Sequence, residues 1–281
     1  VYKRQEYDRA VGLAVIVGLF LLATVLVGGK VGAKSLVALA VTLVCLFWIL
    51  IPLLMKGAST LLTVFLVCAY ITVVTMVILG GVCRKTVCAA LGTVAGTALA
   101  LLFGLLSQSL LRIDGLRLTD VEPLLQLRQT GTPLSLRGLL VAGVVISALG
   151  AVMDVAMSIS SALTEVHTVA PDRDGRALFR SGMNIGRDMV GTMTNTLILA
   201  FLGSGLSFII YLYSLGLDPR QLISSPYMAT EVINGIASSI GVILAVPLTA
   251  LITSFILVKD KKPKAPCGSK PEDKKLPKEV Q

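Results

Sequence analysis

Hydrophobic residues gather along this chain into long unbroken runs, separated by short polar stretches rich in Gly, Pro and charge. The runs predict seven helices, over residues 10–28, 35–55, 60–80, 87–111, 138–165, 189–215 and 229–258. A helix needs about 20 apolar residues to cross a bilayer, and these runs meet that length. A membrane barrel would instead show short segments alternating every second residue. The pattern therefore predicts an all-α fold, a polytopic transmembrane helical bundle of about seven spans.

Two stretches break the apolar pattern with side chains capable of chemistry: GAVMDVAMSISSALTEV (residues 150–166) and SGMNIGRDMVGTMTNTLILAFLGSG (residues 181–205). In the first, Ser147, Gly150, Asp154, Ser158, Ser161 and Glu165 follow one another at intervals of three or four, which puts them on one helix face. Asn184, Asp188, Gly191 and Asn195 repeat the spacing in the second. The turn between them, PDRDGR (residues 171–176), is short, so the fifth and sixth spans are expected to be antiparallel neighbours with their polar stripes facing each other, away from lipid. A fifth helix of about 28 residues is roughly 42 Å long and places Asp154 about 24 Å from its outer end. Asn195 then reaches a similar depth, with Arg187 and Asp188 lower, near Ser158 and Ser161. Glu231, Asn234 and Ser238 share a face in the outer half of the last span, which is expected to bend near Pro247. These groups outline a polar route from Glu231 and Asn234 outside, through Asp154 and Asn195, to Asn184, Arg187, Asp188 and Glu165 inside.

Each candidate has a plainer reading. Asn195, Ser158, Ser161, Thr192 and Thr194 can serve as hydrogen-bonding glue between helices, worth about 0.6 kcal/mol each. Arg187 and Asp188 suit an interfacial helix start, and Glu165 and Glu231 suit solvated helix ends. Asp154 is different, because an Asp at the centre of a span costs roughly 2.5–3.5 kcal/mol on insertion scales. A structural role is filled more cheaply by Asn or Ser.

Composition agrees with the pattern: 55% hydrophobic and 15% charged residues, with a mean hydropathy of +0.86, exclude a soluble globular protein. The net charge of +9 does not indicate nucleic acid, because eight of the 25 Lys and Arg residues crowd into the last 23 positions beside a span. That segment, residues 259–281, reads as a disordered basic cytoplasmic tail in contact with anionic lipid. The side of the membrane holding this tail also collects Arg84, Lys85, Lys30, Lys34 and the basic loop after the fifth span, which predicts a cytoplasmic C-terminus and an external N-terminus. Residues 1–9 then form an extracytoplasmic stub, residues 10–258 the transmembrane domain, and the opening Val points to residues upstream.

Smaller features refine the spans. Pro52 is placed to bend the second, and Gly92 and Gly96 to form a close small-residue contact in the fourth. The segment 112–137, alternating apolar and charged residues around Pro123 and Pro133, is expected to be an interfacial helix. The five cysteines form neither a disulfide framework nor a zinc site, and Cys83 and Cys88 are expected to stay reduced near a cytoplasmic turn.

The segments ALGAVMDVAMSISSALTEV and SGMNIGRDMVGTMTNTLILAFLGS, with ALGT at residues 90–93, resemble the YibE/F-like family of multispan membrane proteins over nearly the whole chain. The resemblance implies a bacterial plasma-membrane protein and brings no established activity. A more distant likeness is to the spans of SecD/SecF-type proton-driven exporters, through GAVMD, a Glu about 11 residues on, and NTLILAFLGSG. It implies that Asp154 and Asn195 match the exporter motifs, while Arg187 and Asp188 depart from them and no large external domain is present.

Three functions follow from these residues. The first is a permease-like transporter or proton-coupled machine centred on Asp154 and Asn195, with Asp154 taking up and releasing protons. The second is an intramembrane aspartyl protease pairing Asp154 with Asp188; the depth of Asp188 and the lack of a GxGD sequence weigh against it. The single His167 and the lack of HExxH exclude a zinc-protease motif. The third is a non-transporting subunit whose stripes bind a partner membrane protein. The chain is therefore read as a non-enzyme with no cofactor and no metal, embedded in the lipid bilayer.

Overall fold

The computed structural model describes residues 2–111, 136–216, 218, 220–221 and 225–259. The expected interfacial helix at 112–137 and the tail beyond Lys259 lie largely outside the described residues. Within them the fold is all-helical: α1 (Tyr2–Val44), a π-helical turn (Cys45–Leu50), α2 (Ile51–Met55), α3 (Thr60–Gly80), α4 (Arg84–Leu111), α5 (Leu136–Val169), α6 (Gly175–Ser214) and α7 (Pro226–Lys259). Among the described residues six stretches are long and apolar enough to cross a membrane, one fewer than the seven expected.

The difference lies at the N-terminus. Residues 10–28 and 35–55 fall together in one stretch, Val11–Met55, of 45 residues. A straight helix of that length measures about 67 Å, more than twice the roughly 30 Å hydrocarbon core. Gly29 breaks it, with φ 52° and ψ −132°, a conformation open to glycine. The chain turns so sharply there that a side chain at Gly32 would run into the Thr24 carbonyl. The stub expected at residues 1–9 is helical from Tyr2 onward and continues into α1.

Pro52 acts one turn earlier than a simple bend. Proline cannot donate a backbone hydrogen bond, and the turn before α2 widens so that the Ile51 N–H reaches back five residues to the Leu46 carbonyl. Further on, Gly81 ends α3 at φ 72° and donates its N–H to Val77 O, which lets α4 follow after a short turn. Cys45, Cys68 and Cys88 are free and buried, whereas Cys83, expected to be reduced, is disulfide-bonded.

The packed centre consists of α4, α5 and α7. Small residues let these helices approach closely, the device that replaces hydrophobic attraction inside lipid. Gly92 lies against Thr249, Gly96 against both Ala245 and Val152, and Gly241 against Ala100, so α4 and α7 run antiparallel in a fixed register. A Cβ on Gly96 would come within 2.8 Å of Ala245 and of Val152. The predicted small-residue contact of Gly92 and Gly96 is thus present, and its partners are α7 and α5. Ser160 Oγ donates to Lys85 O at 2.8 Å, which ties α5 to the start of α4. A second apolar cluster joins Leu54, Val64, Ile71, Val141 and Val145, and so holds α2 and α3 on the N-terminal part of α5.

Candidate functional site

Asp154 sits at the midpoint of the candidate span Gly138–Val169. Its neighbours Val152, Val155 and Ile159 are fully buried, while Asp154 and Ser158 are exposed. Gly150 and Glu165, further along the same face, are exposed as well, and Ser161 is half-buried. From Gly150 to Glu165 the stripe read from the sequence therefore occupies a face of α5 turned away from the buried core, while Ser147 at its start is half-buried. No hydrogen-bond or ion-pair partner of Asp154 lies among the described residues.

The second stripe lies further into its helix than expected. The sixth span was expected from residue 189, but α6 starts at Gly175 and its candidate span is Gly175–Ser207. Asn184, Arg187 and Asp188 thus lie within a long helix, and Arg187 and Asp188 are not at a helix start. All three are exposed, as are Gly191 and Asn195. What α6 buries is a different row: Leu178, Gly182 and Gly186. A Cβ on Gly182 would meet Ala250 and Leu163 at 2.9 Å, and one on Gly186 would run into Val246 and come within 3.3 Å of Ile159. This seam was not identified from the sequence, although its signal is visible as two glycines four apart.

The two stripes are therefore not packed against each other. The expectation that they face one another in the bundle interior is corrected: the glycine seam won the packing surface because only residues without side chains let α6 approach α5 and α7 this closely. Antiparallel neighbours are observed, with α6 following α7 along its whole length. Gly175 meets Val258, Gly186 meets Val246 and Gly235 meets Phe201. Contact with α5 is concentrated around Leu163–Gly182 and Ile159–Gly186.

That register sets relative depths. Continued toward the N-terminus of α5, it puts Gly191 level with Asp154 and Asn195 level with Gly150, about one helical turn, or roughly 5 Å, further along. Arg187 falls level with Ser158 and Asn184 with Ser161. Arg187 and Asp188 have no ion-pair partner among the described residues.

The last span contributes at its N-terminal end. Glu231 and Asn234 are half-buried, and Asn234 lines a narrow crevice with Gly104, Leu140, Val144 and Ile233. One contact joins stripes from different helices: the Ser147 and Ser238 hydroxyls are hydrogen-bonded at 3.0 Å between α5 and α7. α7 continues as a helix through Pro247. At the opposite end, Glu165 borders a shallow groove with Val166, Val169, Ala170 and Arg173.

Comparison with known proteins follows the same boundaries. No curated protein and no solved structure matches this chain. The likeness to SecD/SecF-type spans is not shown by these comparisons. The family model described as YibE/F-like protein matches residues 16–259, from the first apolar run to the last residue of α7. The match takes in both polar stripes and the glycine seam, and the chain belongs to the YibE/F-like family of multi-pass membrane proteins.

Proposed function

We propose that this chain is a permease-like membrane subunit in which the polar faces of α5 and α6 form a wall of a route for protons or a polar solute. The observation carrying this reading is that Asp154, at mid-span, lies exposed on the side of α5 away from the packed core. Against acyl chains that placement costs roughly 2.5–3.5 kcal/mol. Water, or a further protein surface carrying water, removes the cost. Asp154 then acts as the proton-exchanging group and Asn195 as the hydrogen-bonding group one turn further out. Arg187, Asp188, Asn184, Ser158, Ser161 and Glu165 continue the wall inward, and Glu231 and Asn234 stand at the outer end.

The distribution of Lys and Arg supports a bacterial plasma-membrane orientation with the C-terminus in the cytoplasm. The proposal assigns no catalysis to the chain. A second reading, a non-transporting subunit that binds a partner membrane protein through these faces, is favoured by their sideways openness.

The test introduces Asp154→Cys into a protein whose five native cysteines are replaced, and labels it in membranes with a water-soluble maleimide. Thiol labelling needs thiolate and hence water at the site. Rapid labelling, together with loss of dye-reported proton flux from proteoliposomes on Asp154→Asn, is the result expected. Absent labelling in a folded, inserted protein, with flux unchanged by Asp154→Asn, removes the route and leaves the partner-binding reading.

A further inference from the structure

The strongest unassigned feature is a cleft of about 990 Å³ where the start of α6 meets the end of α7. It is separate from Asp154, at the end of the α6–α7 contact marked by Gly175 and Val258. Its walls are Phe179, Leu251, Phe255 and Val258, and its mouth carries Arg176, Lys259 and Asp174. Leu251 and Phe255 are 58% and 70% exposed, so the walls are apolar surface that the bundle leaves uncovered. The candidate spans Gly175–Ser207 and Met228–Lys259 begin and end at this level. A bilayer boundary at these span ends would set the cations at headgroup level and the apolar walls in the hydrocarbon.

We propose that this cleft is a binding site for an anionic glycerophospholipid. The geometry matches the two parts of such a molecule. An acyl chain lies along Phe179, Leu251 and Phe255, and the phosphate sits between the Arg176 guanidinium and the Lys259 ammonium. Arg supplies paired N–H donors suited to phosphate oxygens, and Lys a compact charge. Asp174 leaves the mouth with a net positive charge and accepts a hydrogen bond from a headgroup hydroxyl. A free phosphate would find the cations and not use the walls; a neutral lipid would use the walls and leave the cations unmatched. The cleft's size is at the upper end of the roughly 300–1,000 Å³ usual for small-molecule sites. Its position differs from the basic tail, whose attraction for anionic lipid is general and carries no requirement for shape.

Native mass spectrometry of the full chain in detergent, titrated with phosphatidylglycerol or phosphatidylcholine, tests this. The expected result is a preference for phosphatidylglycerol that falls at least fivefold in the double variant Arg176→Gln/Lys259→Gln. It should also fall in Leu251→Trp, which keeps the charges and fills the cleft, and persist in a full-length Lys261→Gln/Lys262→Gln/Lys264→Gln variant. Arg176, Leu251 and Lys259 are exposed, and circular dichroism confirms folding of each variant. Phosphatidylglycerol binding that survives the two cleft variants and disappears with the tail variant overturns the proposal. Equal binding of inorganic phosphate and phosphatidylglycerol overturns it as well.

Discussion

Asp154 and Gly186 show how one helix face can be dispensable for folding and another indispensable. Asp154 touches no buried cluster, so Asp154→Asn and Asp154→Leu are expected to change stability by less than about 0.5 kcal/mol, the usual range for exposed positions. Gly186 has Val246 and Ile159 pressed against it, so Gly186→Leu should destabilise by about 1–3 kcal/mol through overpacking. Thermal unfolding in one detergent compares them directly. Near-equal loss in the Asp154 and Gly186 variants would mean that the polar face is part of the folded core. The Ser147–Ser238 bond is a smaller case, and Ser238→Ala should cost about 0.6 kcal/mol, typical of hydrogen bonds within membranes.

At the scale of elements, the break at Gly29 is the feature on which the N-terminal spans depend. Its φ of 52° with ψ −132° is poorly accessible to a residue with a Cβ, and such strain costs about 1–3 kcal/mol. Gly29→Val is therefore expected to straighten or destabilise α1. Cysteine accessibility at Lys30 and Lys34, measured from both sides of the membrane, should change in that variant and stay unchanged in Gly12→Val, where nothing lies nearby. The sequence displayed two apolar runs here and therefore two spans. It did not show that the backbone joins them as one helical stretch bent at a single glycine, because the pattern of side chains carries no dihedral angle.

Across the whole molecule, small-residue contacts among the described residues hold the helices together: α4 against α7 and α5, and α6 against α7 and, around Gly182 and Gly186, against α5. Once these are satisfied, the polar faces of α5 and α6 remain outside. If another chain covers them, bulky substitutions at Gly150 and Gly191, both with open space around them, should leave the isolated chain folded and remove the larger assembly. Gly150→Trp and Gly191→Trp, run by size-exclusion chromatography with light scattering, distinguish this from a face lined only by water, for which the assembly mass stays constant.

Much of this architecture was already legible in the chain. The long apolar runs determined an all-helical membrane bundle, because backbone polar groups in lipid must be satisfied within each segment. Helical spacing determined that Asp154, Ser158 and Glu165 share a face, as do Asn184, Asp188 and Asn195, because 3.6 residues complete a turn whatever surrounds the helix. Spacing along one helix cannot say which direction that face takes in the bundle. Only the tertiary structure decided it, since Gly182 and Gly186 permit closer approach than Asn184 and Asp188, and the choice between those rows belongs to the contact with α5 and α7. The cleft of Arg176, Phe255 and Lys259 was likewise out of reach of the sequence, because its parts lie about 80 residues apart and meet only through the antiparallel register of α6 on α7.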